Sequence, residues 1–229
     1  METGSDTLRR MSRDLLVFDF DGTLADSWRD IATALNLTLR ENRLPEADGA
    51  QVRAWIGRGA EALVRRASGV AEPARLEALV RRYAEHYARC CLDTTALYPG
   101  MGAALDALGA HALAVLSNKP TGFLQRQLEG LAAARYFAAV VGGDALPVRK
   151  PDPATLAHVV AAVGAEMPRV WMIGDSAIDV ATGRAFGART VGCSWGLRTA
   201  VELREAGADI IIDHPSELPR IVAAAVAAG

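Results

Sequence analysis

The chain has 229 residues, of which 51% are hydrophobic and 23% are charged, and its formal net charge is −2 at pH 7. A chain of this length forms one large domain, or one domain with a modest insert, and needs no disulfide or metal for stability. The charge gives no indication of a nucleic-acid or anionic-membrane partner. The sequence has no run of about 18 apolar residues, so no membrane span is predicted.

Cysteine usage predicts a reducing compartment, the cytoplasm. Cys90 and Cys91 are adjacent, which strains any bridge between them, and Cys193 lies far along the chain. The 4 histidines are scattered, and no Cys or His pair has the spacing of a zinc site. Residues 1–13 are polar and lack the apolar segment of a signal peptide, so we expect a disordered N-terminal segment there.

The elements predicted along the chain alternate strand and helix around one helical insert. The apolar run Asp14–Phe20 stops at an Asp-Gly pair and predicts a buried strand. Residues 28–91 carry helical periodicity in several pieces, within an insert of residues 28–95. From Tyr98 onward short apolar runs alternate with helical segments, as in a parallel sheet. We therefore predict an α/β fold, a Rossmann-like doubly wound parallel sheet of residues 14–27 and 96–229 with an inserted α-helical cap domain.

After the insert, the patterning predicts both the strands and the helices of this sheet. The predicted strands are 111–116, 137–141, 170–173, 190–191 and 210–212, and the predicted helices lie near 101–109, 121–133, 153–163, 176–187 and 215–227.

Polar side chains follow several of these strands, and ligands bind beyond the carboxyl ends of the strands in open parallel sheets. The four segments are Asp19-Phe20-Asp21-Gly22-Thr23, Ser117-Asn118-Lys119-Pro120, Lys150-Pro151 in the loop after the third strand, and Gly174-Asp175-Ser176 with Asp179 one helical turn later. Clustered carboxylates repel one another unless a cation lies among them, and Mg²⁺ prefers oxygen ligands. A lysine and a hydroxyl beside such an ion suit a phosphoryl group.

Each segment also has an ordinary structural interpretation. An Asp-x-Asp pair after a strand is often a turn or cap, and Ser117-Asn118 suits the N-cap of the next helix. Asp175 and Asp179 suit a helix N-terminus, where the helix dipole favours acids. Lys150 before a proline is commonly an exposed residue. Their joint occurrence, in order, at consecutive strand ends favours a functional site.

The choice of basic residues is a separate indication. Of the 25 basic residues only two are lysines, Lys119 and Lys150, and both fall in candidate phosphate loops. A lysine presents a compact point charge where an arginine presents a flat fork. This supports a site role for Lys150, whereas the side chain of Lys119 is expected to point either to solvent or toward the insert.

The ordered segments from Asp19 to Asp179 resemble the four motifs of the haloacid dehalogenase superfamily, from about residue 14 to the end of the chain. The resemblance implies that Asp19 is the nucleophile that forms an aspartyl-phosphate and that Asp21 is the general acid/base. The second aspartate favours phosphate chemistry, because a departing halide needs no proton. The implied Mg²⁺ site consists of Asp19, the backbone carbonyl of Asp21, Asp175 and Asp179. Asp179 is expected to support the direct ligands or to contact the ion through water.

The other implied site residues hold the substrate. Ser117 and Lys150 would bind the transferring phosphoryl group, and Gly22, Thr23 and Asn118 are expected to bind substrate. The helical insert resembles the C1-cap subclass, and residues 52–67 are similar to the substrate-facing segment of bacterial phosphoglycolate phosphatases, with Arg58 where an asparagine is expected.

The expected partner is therefore a small phosphorylated metabolite, 2-phosphoglycolate. Arg58 or Arg65 would pair with its carboxylate, although both arginines also suit a solvated helix face. A sugar-phosphate phosphatase, a pyrophosphatase and a β-phosphoglucomutase-like enzyme share the same motifs. A non-catalytic binding module on the same fold is the alternative from another class, and the sequence gives no oligomeric state.

Overall fold

The computed structural model describes residues 14–164 and 169–227, so the predicted N-terminal segment 1–13 lies outside the described residues. The strands are β1 Leu15–Phe18, β2 Ala25–Asp26, β3 Ala96–Leu97, β4 Ala112–Leu116, β5 Ala139–Val141, β6 Val170–Gly174, β7 Arg189–Cys193 and β8 Ile210–Ile212. The α-helices are α1 Trp28–Glu41, α2 Gly49–Trp55, α3 Ala60–Ser68, α4 Pro73–Cys90, α5 Met101–Ala107, α6 Thr121–Gly130, α7 Ala154–Val163, α8 Ala177–Phe186, α9 Ala200–Glu205 and α10 Leu218–Ala227.

Six strands form one parallel sheet in the order β5-β4-β1-β6-β7-β8. The chain order runs outward from β1 in both directions, so the sheet reverses its winding between β4 and β6. Such a switch point opens a crevice at the carboxyl ends of the central strands. The predicted α/β fold with a doubly wound parallel sheet is confirmed.

The central strand β1 shows why its sequence is a continuous apolar run. Leu16 and Phe18 pack into the hydrophobic cluster on one face of the sheet, whereas Leu15 and Val17 pack into the cluster on the other face. All four side chains are fully buried. A strand covered by helices on both faces needs apolar residues at every position.

Helices α1 to α4, residues 28–90, form a helical insert with its own hydrophobic cluster, which includes Leu35, Leu39, Leu79 and Tyr83. Local capping sets the helix starts. The Asp48 side chain accepts from the Gln51 backbone N–H at the start of α2. At the start of α4, Glu72 precedes Pro73 and accepts from the backbone N–H groups of the two residues after that proline.

Two features of the fold were not predicted. Strands β2 and β3 pair antiparallel, which brings the entry and the exit of the helical insert side by side. Helix α9 lies between β7 and β8, where no helix was predicted. In the part of the chain that the structure describes, no helix is both long and apolar enough to cross a bilayer.

Candidate active site

The sheet topology brings the predicted strand-end residues to one place. Asp19 follows β1, Ser117 follows β4, and Asp175 follows β6, and these three strands are neighbours in the sheet. Lys150 reaches the same place from the loop after β5. Its backbone is held by Asn118, whose Oδ1 accepts from the Lys150 N–H at 3.0 Å and whose Nδ2 donates to the Lys150 carbonyl at 3.1 Å.

Three carboxylates form a buried cluster at the carboxyl ends of β1 and β6. Asp19, Asp175 and Asp179 each offer an oxygen, and these oxygens lie within 4.8 Å of one another. Asp175 is held by the backbone N–H of Leu197, which donates to its Oδ2 at 2.6 Å. A Cβ on Gly22 would lie 2.3 Å from the same oxygen, so glycine is required there for Asp175 to fit.

Lys150 joins two of these carboxylates. Its Nζ lies 2.6 Å from Asp179 Oδ1 and 2.9 Å from Asp19 Oδ1, and its side chain is almost wholly buried. Burial opposes the ammonium charge, but the attraction of Asp179 and Asp19 outweighs it and raises the pKa of Lys150 above its ordinary value. Lys150 is therefore a fixed positive charge beside Asp19.

Asp179 differs from the other two carboxylates because both of its oxygens are engaged. Oδ1 accepts from Lys150, and Oδ2 accepts from the Ser176 hydroxyl at 2.6 Å and the Ser176 backbone N–H at 3.1 Å. The interpretation of Asp179 as a helix N-terminal residue is thus correct, because its Oδ2 accepts both bonds from Ser176, the N-cap of α8. The same side chain also holds Lys150 against Asp19.

The cluster has the donor chemistry of a Mg²⁺ site. All its ligand atoms are carboxylate oxygens, which hard cations prefer. Burial, followed by the neighbouring Asp179 and Asp19, raises the pKa of Asp175 well above its ordinary value. A bound cation would offset that unfavourable charge. The residues present therefore fit the ion, with Asp19 and Asp175 better able to bind it directly than Asp179.

Asp21, two residues after Asp19, has a different set of partners. Its Oδ1 accepts from Lys119 Nζ at 2.6 Å and from the hydroxyl of Ser27. Lys119 is 7% exposed. The alternative that it points to solvent is wrong, and the alternative that it points toward the helical insert is confirmed, because its Nζ also donates to Tyr87 Oη at 2.8 Å.

Ser117 and Asn118 do not cap the following helix. Pro120 is the N-cap of α6, and the first backbone N–H of that helix donates to Asp144. Ser117 instead lines the cavity above Asp19. The Asn118 amide bridges Lys150 and the helical insert, since its Nδ2 also donates to the Gly57 carbonyl at 2.9 Å.

A cavity of about 50 Å³ lies between the core and the helical insert. By the usual measure this is room for roughly four water molecules. The floor of the cavity is Asp19, Asp21, Ser117, Asn118 and Lys119, and its roof is Ile56, Gly57, Gly59, Ala60 and Leu63. The side walls are Ile31, Tyr83, Tyr87, Pro120 and Phe123. The roof is therefore apolar side chains and glycine backbone.

Four of the five residues that we expected to bind substrate do not line this cavity, and Asn118 is the one that does. Gly22 packs against Asp175 instead. Arg65 lies on the outer side of α3, where it pairs with Glu61 at 2.8 Å and is half exposed. Arg58 is exposed. Thr23, in the loop after β1, is fully buried. Among the described lining residues the basic side chain is Lys119.

Sequence reasoning missed the loop that connects the cluster to the roof. Arg198, one residue after Leu197, donates to the carbonyls of Arg53 at 2.8 Å, Ala54 at 3.0 Å and Ile56 at 2.9 Å. These carbonyls lie at the C-terminal end of α2, where a cation is favourable. Arg198 is one of many arginines in the sequence, and nothing marks it out.

Comparison with known proteins agrees with this geometry. Residues 16–193 match the model of the haloacid dehalogenase-like hydrolase family. The chain is 41% identical over 191 residues to a phosphoglycolate phosphatase of Rhodospirillum rubrum, covering 79% of each chain. It is 33% identical to a phosphoglycolate phosphatase of Haemophilus influenzae, covering 91% of this chain and 97% of that one.

A solved structure gives the same result. The chain superimposes on a predicted phosphoglycolate phosphatase from Haemophilus somnus with a TM-score of 0.85 and 29% identity, covering 91% of this chain and 97% of that one. The family match extends over most of the chain and includes Asp19, Ser117, Lys150 and Asp175. The chain belongs to the haloacid dehalogenase-like hydrolases.

Proposed function

We propose that this hydrolase is a Mg²⁺-dependent phosphomonoesterase that acts on 2-phosphoglycolate. One observation carries the proposal. Asp19, which pairs with Lys150, and Asp21, on the same loop, share the floor of one small cavity. The size of the cavity favours a substrate with few carbon atoms. The relatives named above support the same ester.

The proposed reaction has two displacements. An oxygen of Asp19 forms a bond to phosphorus while the bond from phosphorus to the glycolate oxygen breaks, and that oxygen takes the electron pair and a proton from Asp21. Water then attacks phosphorus and gives a proton to Asp21. The bond between phosphorus and Asp19 breaks, which returns the carboxylate and releases phosphate.

Each proposed role rests on a contact described above. Lys150 would neutralise charge on the phosphoryl group, and Asp179 would hold Lys150 in place. Bound Mg²⁺ would offset the repulsion between a carboxylate and a phosphate dianion. Its proposed direct ligands are Asp19, Asp175 and the backbone carbonyl of Asp21, and Asp179 would support them without binding the ion directly.

The remaining assignments follow from where the side chains lie. We propose that Ser117 contacts the phosphoryl group, that Asn118 fixes Lys150 and the roof, and that Gly22 makes room for Asp175. Residues 28–95 serve as the cap over a core of 14–27 and 96–229. The cytoplasm remains the proposed compartment, since the three cysteines are free thiols in the structure.

The test is phosphate release at fixed Mg²⁺ from 2-phosphoglycolate, pyrophosphate and several sugar phosphates, with Asp19→Asn as the blank. We expect kcat/KM for 2-phosphoglycolate to exceed the others by at least about tenfold. Preference for pyrophosphate or a sugar phosphate would show that the substrate is not 2-phosphoglycolate, while the proposed mechanism of phosphoryl transfer would stand. No Mg²⁺-dependent release from any ester would contradict the proposal and favour a non-catalytic module.

A further inference from the structure

Lys119 is a buried cation to which the proposed reaction assigns no role. It follows Asn118 at the end of β4, and it pairs with Asp21, whereas Lys150 pairs with Asp19 and Asp179. The two lysines of the chain thus contact different aspartates of the loop after β1. Within the described residues, the Lys119 ammonium makes no hydrogen bond or ion pair with the carboxylate cluster, and it has its own set of partners.

All three N–H bonds of the Lys119 ammonium are engaged. They donate to Asp21 Oδ1 at 2.6 Å, Tyr87 Oη at 2.8 Å and Gln127 Oε1 at 2.8 Å. The rings of Phe20 and Tyr87 also lie 4.8 Å and 5.1 Å from Nζ. The ammonium therefore has no donor left for an anionic substrate. A flat guanidinium cannot place three donors toward three acceptors around one nitrogen, which accounts for a lysine here.

These contacts fix one oxygen of Asp21 and leave the other available. Oδ1 accepts from both Lys119 and Ser27. Within residues 14–164 and 169–227, no hydrogen bond holds Asp21 Oδ2, and Asp21 lines the cavity. A carboxyl group held through one oxygen cannot rotate, so its other oxygen is the one presented to the ester oxygen.

The anchor behind Lys119 reaches both parts of the molecule. Gln127 lies on α6 of the core, and its Nε2 donates to the Cys91 carbonyl at 2.7 Å and to Tyr87 Oη at 3.1 Å. Tyr87 lies on α4 of the helical insert. The position of the ammonium is therefore set by the core and the insert together, and Asp21 is set by the ammonium.

We propose that Lys119 is a positioning residue that orients Asp21 for proton transfer to the leaving oxygen. The inference rests on the proposed function, because it needs Asp21 to be the general acid. It predicts that Lys119 matters for esters whose leaving group needs a proton and matters little for those whose leaving group does not.

Two small substrates separate these cases. The leaving group of 2-phosphoglycolate is glycolate, which departs as a strongly basic alkoxide unless its oxygen is protonated. Acetyl phosphate has a similar size and leaves as acetate, which takes the electron pair of the broken bond without a proton. Rapid quench of one turnover measures the transfer of the phosphoryl group to the enzyme from each substrate, apart from the later attack of water.

The variants are Lys119→Met, Asp21→Asn and the double variant, with Lys150→Met as the matched control at the other lysine. We expect Lys119→Met to slow the transfer from 2-phosphoglycolate by roughly 10- to 100-fold, with little change in KM. The transfer from acetyl phosphate should stay within about twofold of the wild type, with one acetate released per enzyme molecule. That acetate burst also shows that the variant is folded.

The remaining variants sharpen the assignment. Adding Lys119→Met to Asp21→Asn should slow transfer from 2-phosphoglycolate by no more than about twofold, because both changes remove the same contribution. Lys150→Met should slow transfer from both substrates. Lys119→Arg should restore little, and Tyr87→Phe should slow transfer from 2-phosphoglycolate less than Lys119→Met does.

Other outcomes overturn the inference. A higher KM for 2-phosphoglycolate with unchanged kcat in Lys119→Met would make Lys119 a substrate anchor. Equal losses on both substrates, or no loss on either, would also contradict a positioning role. If the wild type transfers from acetyl phosphate but not from 2-phosphoglycolate, the proposed substrate fails and the comparison is made with the alkyl phosphate that the wild type hydrolyses. If it transfers from neither, the proposed function itself is wrong.

Discussion

The floor of the cavity is made of strand ends and is charged, whereas its roof is made of the helical insert and is apolar. On the floor, Asp19 and Asp21 each have a lysine partner, and the contacts are between side chains. On the roof, Ile56 and Leu63 face the cavity beside Gly57 and Gly59. The two halves meet through Asn118, which binds the Gly57 carbonyl.

The difference indicates how the work is divided. Charged groups at fixed positions suit bond making and proton transfer, because their positions need not change during the reaction. An apolar roof with little free space selects by size and excludes water. We infer that the floor determines the reaction and that the roof determines the substrate by shape. The outward-facing Arg65 pairs with Glu61 and adds no charge to the cavity.

The largest expected effect is at Asp19. The Asp19→Asn variant keeps the shape of the side chain and removes the attacking carboxylate. We expect kcat on 2-phosphoglycolate to fall by about 10⁴-fold or more. Thermal unfolding should still be cooperative, since Lys150 keeps its contact with Asp179. Activity near that of the wild type would show that the floor is not the reaction centre.

The next effect concerns Asp175 and the metal. We expect Mg²⁺ to raise the midpoint of thermal unfolding of the wild type by about 5 °C, because the ion offsets repulsion within the carboxylate cluster. The Asp175→Asn variant should unfold at a higher temperature than the wild type in EDTA and gain little from Mg²⁺. Its kcat should fall by about 100-fold. A full Mg²⁺ stabilisation in this variant would contradict the proposed ligand.

A smaller effect is expected where the floor and the roof are joined. Arg198→Ala removes three hydrogen bonds to carbonyls of the helical insert. We expect KM for 2-phosphoglycolate to rise by roughly fivefold to tenfold, with a smaller change in kcat, because the roof docks less well. The exposed Arg204→Ala is the matched control. Equal kinetics in the two variants would show that this contact does not hold the roof.

The smallest effect is expected at the arginines outside the cavity. Arg58→Ala and Arg65→Ala should each leave kcat/KM for 2-phosphoglycolate within about twofold of the wild type, because exposed charges and exposed pairs contribute little. A tenfold rise in KM for either variant would contradict this. It would show that the roof recognises the substrate carboxylate with a charged side chain.

The floor of the site could be predicted from the sequence because a parallel sheet gathers the carboxyl ends of its strands. Asp19, Ser117 and Asp175 needed only the order of strands, and each follows an apolar run that is easy to recognise. Lys150 was predicted from its loop after the third strand, and the rarity of lysine in this chain supported that prediction. The capping role of Asp179 was also predictable, since it follows from helix position alone.

The roof could not be predicted in the same way. Arg58 and Arg65 lie on helices whose rotation about their own axes depends on packing between several helices, and the periodicity of one helix does not fix this. The pairing of β2 with β3 joins segments about 70 residues apart, and each strand is too short to give a pattern. The partners of Lys119 come from α4 and α6, so its burial needed the tertiary structure.

The most direct test of the account asks whether Asp19 carries the phosphoryl group. The Asp21→Asn variant, given acetyl phosphate, should still accept the group, because acetate needs no proton, but should lack the base that activates water. Acid quench followed by mass spectrometry should find one phosphoryl group per molecule on the peptide that contains Asp19. No covalent adduct, or an adduct on another residue, would contradict the account.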